Sequence, residues 1–125
     1  MTIAKDFQEL LIWQRGHALA VRIYRVTDTF PKTEQFGLTN QLRRAAVSVP
    51  SNIAEGFERS TGKDFAHFLS ITRGSLAEVQ SQILLARDLL YVSPEECESL
   101  LQETTHLHKM INAFKSSLAT SKLAD

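Results

Sequence analysis

Two acidic residues in this sequence stand three positions before a histidine, a spacing that can serve metal binding. Glu103 precedes His106, and Asp64 precedes His67. Residues three apart share one face of a helix, and a Glu-x-x-His pair is the ligand unit of carboxylate-bridged dimetal bundles. All four residues lie off the apolar stripes of their segments, and inward glutamates to complete such a site are missing. We therefore expect neither a metal nor another cofactor.

Other catalytic patterns are also missing from the sequence. It has no glycine-rich phosphate loop, no nucleophile motif and no paired-cysteine metal site. Helical-bundle ribonucleases commonly place a histidine four to six residues after an arginine, and the interval from Arg59 to His67 is too long for that pattern. Glu55 and Arg59 have the i,i+4 spacing of a structural ion pair. We expect no enzymatic activity.

Composition indicates a small protein without a strong overall electric field. The chain has 125 residues, 43% of them hydrophobic, and a formal net charge of zero, so we expect one domain over residues 1–125. The single cysteine, Cys97, fits a reducing cytoplasm. The N-terminal stretch lacks the unbroken apolar core of a signal peptide, and no stretch is long enough to span a bilayer. The expectation is a cytoplasmic protein with no membrane partner.

Apolar residues recur at steps of three and four in four segments, which indicates four amphipathic helices and no strand. The first segment runs from Ile12 to Phe30 and should stop at Pro31. The second starts somewhere between Thr33 and Thr39 and runs to about Glu58. Short connections between amphipathic helices make neighbours antiparallel, so the sequence predicts an all-α, antiparallel up-down four-helix bundle.

Capping residues mark the starts of the last two helices. Thr61 and Asp64 are spaced as a capping pair, and the third helix should be the longest. Ser93 can cap the fourth helix, with Pro94 in its first turn. The tail from about residue 119 is polar and should fray.

A proline lies inside the second helical pattern. The apolar stripe continues through Pro50 without a change of register, on Leu42, Ala46, Val49, Ile53 and Phe57. A proline inside a helix removes one amide donor and costs about 3 kcal/mol or more unless the helix bends. We expect a continuous helix kinked at Pro50. The alternative is a break, with Ser48 capping a new helix that begins at Val49 and Pro50.

Two helix faces carry small residues where charge would be usual. These candidate oligomer-interface residues are Val47, Ser51 and Ala54 in the second helix and Ser70, Gly74, Ala77 and Ser81 in the third. Small side chains let another helix come close, so a second copy of the chain is the simplest partner. The alternative is that they fill a tight contact between helices two and three of one chain.

Basic residues concentrate in the middle of the chain, whereas acidic residues dominate the later part. The candidate nucleic-acid-binding residues are Arg43, Arg44, Arg59, Lys63 and Arg73. No aromatic cluster is interleaved with these cations, which favours phosphate contacts with little sequence preference over base stacking. The alternative is an ordinary solvated surface.

The block QLRRAAVSVPSNIAEGFERS is highly specific, because RRA, a proline within the apolar stripe and NIAEG follow in order. Further distinctive residues lie outside that block: Leu11, Trp13, Gln14, Tyr24, Phe30, Pro31, Glu34, Gly37, Leu38, Phe68, Gly74, Ser75, Leu76 and Glu78. In these residues the sequence resembles a family of four-helix bundle proteins encoded in intervening sequences of bacterial 23S ribosomal RNA genes, with relatives that are accessory proteins of diversity-generating retroelements. The similarity covers nearly the whole chain.

This resemblance implies a bacterial, cytoplasmic, non-enzymatic bundle that assembles as a homopentamer, with Arg43 and Arg44 near the assembly surface. It also implies structured RNA or another nucleic acid as a partner, through basic surfaces. Two functions follow as hypotheses: an oligomeric RNA-associated accessory protein, and an assembly whose ring recruits another protein without nucleic acid.

Overall fold

The computed structural model describes residues 4–120, so the tail that we expected from about residue 119 lies mostly outside the described part. Four α-helices and two single-turn 3-10 helices, at Phe7–Glu9 and Lys32–Glu34, account for the regular structure, and residues 4–120 contain no strand. The fold is an all-α four-helix bundle, as predicted. Its helices are α1 Leu11–Thr27, α2 Leu38–Phe57, α3 Gly62–Asp88 and α4 Pro94–Thr120.

Local capping chemistry sets the starts of α3 and α4. The Thr61 hydroxyl accepts a hydrogen bond from the Asp64 amide at 3.1 Å. The Ser93 hydroxyl accepts one from the Glu96 amide at 3.0 Å, and Pro94 is the first residue of α4. Both predicted caps are confirmed. The expectation that the third helix is the longest is wrong, since α3 and α4 each have 27 residues.

Helix α1 ends at Thr27, earlier than the predicted end at Phe30 and Pro31. The Thr27 hydroxyl donates to the Ile23 carbonyl at 2.7 Å and accepts from Arg43 Nε at 2.8 Å. The chain then turns, so that Phe30 is buried with its ring 5.3 Å from that of Tyr91. Tertiary contacts therefore end this helix before the proline does.

Each helix buries most of its predicted apolar stripe in one core. Polar side chains also join neighbouring helices: Ser48 of α2 shares a 2.7 Å hydrogen bond with Ser75 of α3, and Gln80 of α3 donates to Thr104 of α4 at 2.9 Å. The largest fully buried side chains are Leu19, Ile23, Leu42, Val49, Ile53, Leu69, Leu76, Val79, Ile83, Leu100, Leu107 and Ile111.

Helix α2 is continuous through its proline. It runs from Leu38 to Phe57 with Pro50 inside and buried, so the alternative in which Ser48 caps a new helix is wrong. The Ser48 hydroxyl instead bonds to Ser75 and accepts from the Asn52 amide at 2.8 Å. The Ala46 carbonyl loses its usual partner because proline has no N–H. The kink at Pro50 stays a prediction.

Two glycines let α2 lie close to its neighbours. A Cβ added at Gly16 of α1 would stand 3.0 Å from Val49 and 3.6 Å from the Pro50 nitrogen. A Cβ added at Gly56 would stand 2.8 Å from both Phe65 and Phe68 of α3. Because the Phe68 contact is with its Cβ, which is fixed to the backbone, that side chain cannot rotate away. Both helix crossings therefore depend on glycine at positions 16 and 56, where there is no room for a side chain.

We predict opposite effects for two glycine-to-alanine substitutions. Gly56→Ala should destabilise the fold, because an overpacked helix contact costs about 1–3 kcal/mol. Gly74→Ala is the matched control, since a Cβ there meets nothing within 4 Å and alanine favours a helix by about 0.5–1 kcal/mol. Urea unfolding of both variants measures the difference. Equal stability of the two would contradict the close contact at Gly56.

Candidate functional site

The five candidate basic residues have different surroundings in the structure. Arg43 lies between α1 and α2, where Nη2 donates to Asp28 at 2.9 Å and to the Tyr24 carbonyl at 3.2 Å. Nε donates to Thr27, and the guanidinium lies 4.6 Å from the centre of the Tyr24 ring. Most of its donors are therefore used within the chain, and Arg43 fastens α2 to the end of α1.

Two further candidates also have partners within the chain. Arg59 forms the predicted i,i+4 ion pair with Glu55 at 2.9 Å and lies 4.6 Å from the centre of the Phe68 ring. Arg73 Nε donates to His108 Nε2 at 3.2 Å, which directs it toward α4. These contacts reduce, without removing, the capacity of both side chains to bind phosphate.

Arg44 and Lys63 are different. Both are exposed, and neither has an ion pair or a side-chain hydrogen bond within residues 4–120. Arg44 directly follows Arg43, and consecutive helix residues point about 100° apart, so the first arginine meets α1 while the second faces outward beside α3. Of the five candidates, Arg44 and Lys63 are therefore the best placed to bind phosphate.

An open apolar groove of about 570 Å³ runs between α1 and α2. Its α2 side is formed by Pro50 and by all three predicted interface residues of that helix, Val47, Ser51 and Ala54. Its α1 side includes Trp13, His17, Ala20, Val21 and Tyr24. Sequence reasoning identified only the α2 side, although Trp13, Ala20 and Tyr24 flank the stripe of α1 at helical spacing.

The predicted small-residue seam of α3 lies on another part of the surface. Ser70, Gly74, Ala77 and Ser81 are all exposed, and Ser70 accepts a 2.6 Å hydrogen bond from Lys115 of α4. The alternative that this seam fills the contact between α2 and α3 is wrong. Ser48, Ser75 and Gly56 make that contact instead.

A second groove, of about 470 Å³, lies between α2 and α3. Polar side chains dominate its walls, with Arg44 beside the amides Asn40, Gln41 and Gln82. Phe36 also contributes to the wall although 88% of its surface is exposed. This groove was not predicted from the sequence, because a turn and two separate helices form it together. Phe36, Asn40 and Arg44 are spaced four residues apart, and this spacing could have identified the α2 side of the groove in the sequence.

The α3 side of this groove carries two hydrogen-bond acceptors. Gln82 Oε1 is buried and has no hydrogen-bond partner within the described residues. Glu78 places a carboxylate on the same wall as Gln82, across from the arginine. The groove thus offers a cation on the α2 side and hydrogen-bond acceptors on the α3 side.

Glu34 positions the turn that carries Phe36. Its carboxylate accepts from the Leu38 amide at 3.2 Å and from the Tyr91 hydroxyl at 2.8 Å. The pKa of Tyr91 is raised, mainly because its hydroxyl donates a hydrogen bond to Glu34. Burial and the negative charge of Glu34 raise this pKa further. A Cβ at Gly37 would stand 2.8 Å from the Glu34 carboxylate, so glycine leaves room for this arrangement.

The possible metal ligands are dispersed. Glu103 forms an ion pair with Arg22 of α1 at 2.7 Å. Within residues 4–120, no three histidine, cysteine, aspartate or glutamate side chains come together as a metal site. In the same range no helix has the length and apolar character needed to cross a bilayer.

The fold and these surfaces define a four-helix bundle whose distinctive features are its grooves and two cations, Arg44 and Lys63, that have no partner among residues 4–120. The sequence matches the 23S rRNA-intervening sequence protein family over residues 8–113, and the chain belongs to that family. A search of curated proteins found no match.

A solved structure has a similar fold. It is a protein of unknown function from the S23 ribosomal protein family of Bacteroides thetaiotaomicron. The two chains share 22% sequence identity with a TM-score of 0.75, over 84% of this chain and 98% of that one. At this identity the similarity concerns the fold.

We predict that the two adjacent arginines differ in their effect on stability. Arg43→Ala should lower the free energy of unfolding by about 1–2 kcal/mol, because it removes hydrogen bonds to Thr27 and Tyr24 and a cation–π contact. The ion pair with Asp28 adds little to this value, since that carboxylate is 77% exposed. Arg44→Ala should stay within about 0.5 kcal/mol of the wild type. Urea denaturation tests both, and a larger loss at Arg44 would contradict the assignment.

Proposed function

We propose that this protein is a non-enzymatic homo-oligomer that binds RNA, with five copies as the number that the family resemblance implies. One observation carries the proposal: α2 has an apolar groove along its α1 side and a polar groove containing Arg44 along its α3 side. The first has the chemistry of a protein contact and the second that of a nucleic-acid contact. A lone buried thiol, Cys97, supports a cytoplasmic location.

Exposed apolar surface supports self-association. Tyr24 and Val47, on opposite sides of the apolar groove, are 43% and 40% exposed. Contiguous exposed apolar surface marks interaction sites, and removing it from water drives association. Small residues such as Ser51 and Ala54 leave space for an inserted side chain or helix.

Unpaired cations support RNA binding. Arg44 and Lys63 are exposed, and their charges are not neutralised by an acidic partner within residues 4–120. One neutral chain offers few phosphate contacts, whereas an oligomer repeats each contact by symmetry and gains from multivalency. RNA affinity should therefore depend on assembly and decrease steeply with salt.

A second function, recruitment of another protein, is favoured by the seam of α3. Gly74 has open space above it, and Ala77 and Ile71 are exposed nearby on the same helix. A helix of a partner protein could approach this surface closely. The two functions differ in whether nucleic acid binds at all.

We predict that an arginine in the apolar groove dissociates the oligomer. Ala54→Arg should reduce the mass measured by light scattering at micromolar concentration to that of one chain, because it introduces a charge into a dry contact. Ala77→Arg tests the α3 seam in the same way. Ala113→Arg, an exposed position of α4, is the matched control and should retain the wild-type mass. Circular dichroism should show that all three remain helical.

A wild-type protein that is monomeric under these conditions would contradict self-association. If Ala77→Arg dissociates the oligomer and Ala54→Arg does not, the interface lies at the α3 seam and not in the apolar groove.

We predict that charge reversal at the two unpaired cations weakens RNA binding. Arg44→Glu combined with Lys63→Glu should weaken binding of a structured RNA by tenfold or more and flatten its dependence on salt, because fewer counterions are released. Oligomer mass and thermal unfolding should stay near those of the wild type. Fluorescence anisotropy, starting at about 50 mM salt where such contacts are strong, provides the measurement.

Arg15→Glu combined with Lys109→Glu is the control for this experiment, since it changes net charge equally at exposed residues of α1 and α4. If both double variants bind RNA equally well, the assigned surface is wrong. If the wild type ignores RNA even at low salt, protein recruitment becomes the better account.

A further inference from the structure

We propose that the polar groove between α2 and α3 accepts one unpaired RNA base, stacked on Phe36, while Arg44 contacts an adjoining phosphate. This inference rests on the proposed RNA binding and specifies its ligand. It adds a stacking surface to the phosphate contacts that the sequence alone favoured.

Phe36 is held in an exposed position. The residue is 88% exposed, yet the turn beneath it is fixed by Glu34, which accepts hydrogen bonds from Leu38 and Tyr91. An aromatic ring that is exposed on an ordered turn is a suitable platform for a base. Stacking of a base on an aromatic side chain contributes about 1–3 kcal/mol and works with any base.

The groove wall supplies partners for the edges of a base. Asn40, Gln41 and Gln82 offer amide donors and acceptors. Gln82 Oε1 has no hydrogen-bond partner among residues 4–120, and rotation about the terminal torsion, which is broad for glutamine, would turn this acceptor toward an amino or imino hydrogen of a base. A ligand that brings such a donor would satisfy a buried group that the described part of the chain leaves unsatisfied.

Charge sets the orientation of the ligand. The Glu78 carboxylate repels phosphate but can accept a hydrogen bond from a base amino group. Arg44, on the α2 side, attracts phosphate. The base should therefore lie toward α3 and Phe36, with the RNA backbone passing over α2.

The groove selects unpaired RNA over a duplex. Its volume of about 470 Å³ is within the range of small-ligand sites, so a single nucleotide is a suitable occupant. A base within a duplex is already stacked and paired and cannot enter, whereas bases in loops and bulges are free to stack on protein side chains. Hairpin loops and single strands should bind here.

The test uses the full-length protein and an RNA hairpin with 2-aminopurine in its loop, a base analogue whose fluorescence falls on stacking. Wild type and Phe36→Tyr, which keeps an aromatic ring, should quench the fluorescence. Phe36→Leu, which keeps an apolar side chain without a ring, should bind the hairpin about tenfold more weakly and fail to quench it. A blunt duplex of equal length should bind wild type and Phe36→Leu alike.

Two outcomes overturn the inference and are distinguishable. If wild type and Phe36→Leu bind the hairpin and the duplex equally, without quenching, stacking in the groove is refuted while RNA binding stands. If the wild type binds neither RNA at about 50 mM salt, both the inference and the proposed function fail.

Discussion

The close approach of α2 to both neighbouring helices is the constraint on which the rest of the structure depends. Gly16 brings α1 against Val49 and Pro50, and Gly56 brings α3 against α2 through Phe65 and Phe68. These contacts fix the rotation of α2 about its axis. That rotation decides which side chains form the core and which line the grooves on its two flanks.

Pro50 lies at the contact between α1 and α2. Its ring is buried where α1 crosses and forms part of the apolar groove, so the proline contributes to the contact instead of ending the helix. The missing N–H removes one hydrogen bond of α2. Burial of an unbroken apolar stripe on both sides offsets that loss, as the continuity of the helix from Leu38 to Phe57 indicates.

Features that depend on local chemistry could be predicted from the sequence. The caps at Thr61 and Ser93 involve residues three apart, and the apolar stripes follow the helical period. The end of α1 could not be predicted, because Thr27 bonds to Arg43 from another helix. The different surroundings of the candidate arginines could not be predicted for the same reason: the sequence does not tell which arginine meets an acidic or aromatic partner.

The groove beside Arg44 was even harder to predict from the sequence, because its residues come from distant parts of the chain. Phe36 precedes α2, Gln82 belongs to α3, and only the folded chain brings them to one site. Arg43 and Arg44 are neighbours in sequence, yet one fastens the bundle and the other faces a groove. We therefore propose separate tasks for the two flanks of α2: assembly on the α1 side and RNA contact on the α3 side.

Hydroxyl-radical footprinting with mass spectrometry tests this separation most directly, because it reports the solvent exposure of Tyr24 and Phe36 in one sample. The account predicts that Tyr24 is protected in the wild-type assembly relative to the Ala54→Arg variant, with or without RNA. Phe36 should stay reactive in the assembly and become protected only when RNA is added. Protection of Phe36 by assembly alone, or a Tyr24 that is equally reactive in both proteins, would contradict it.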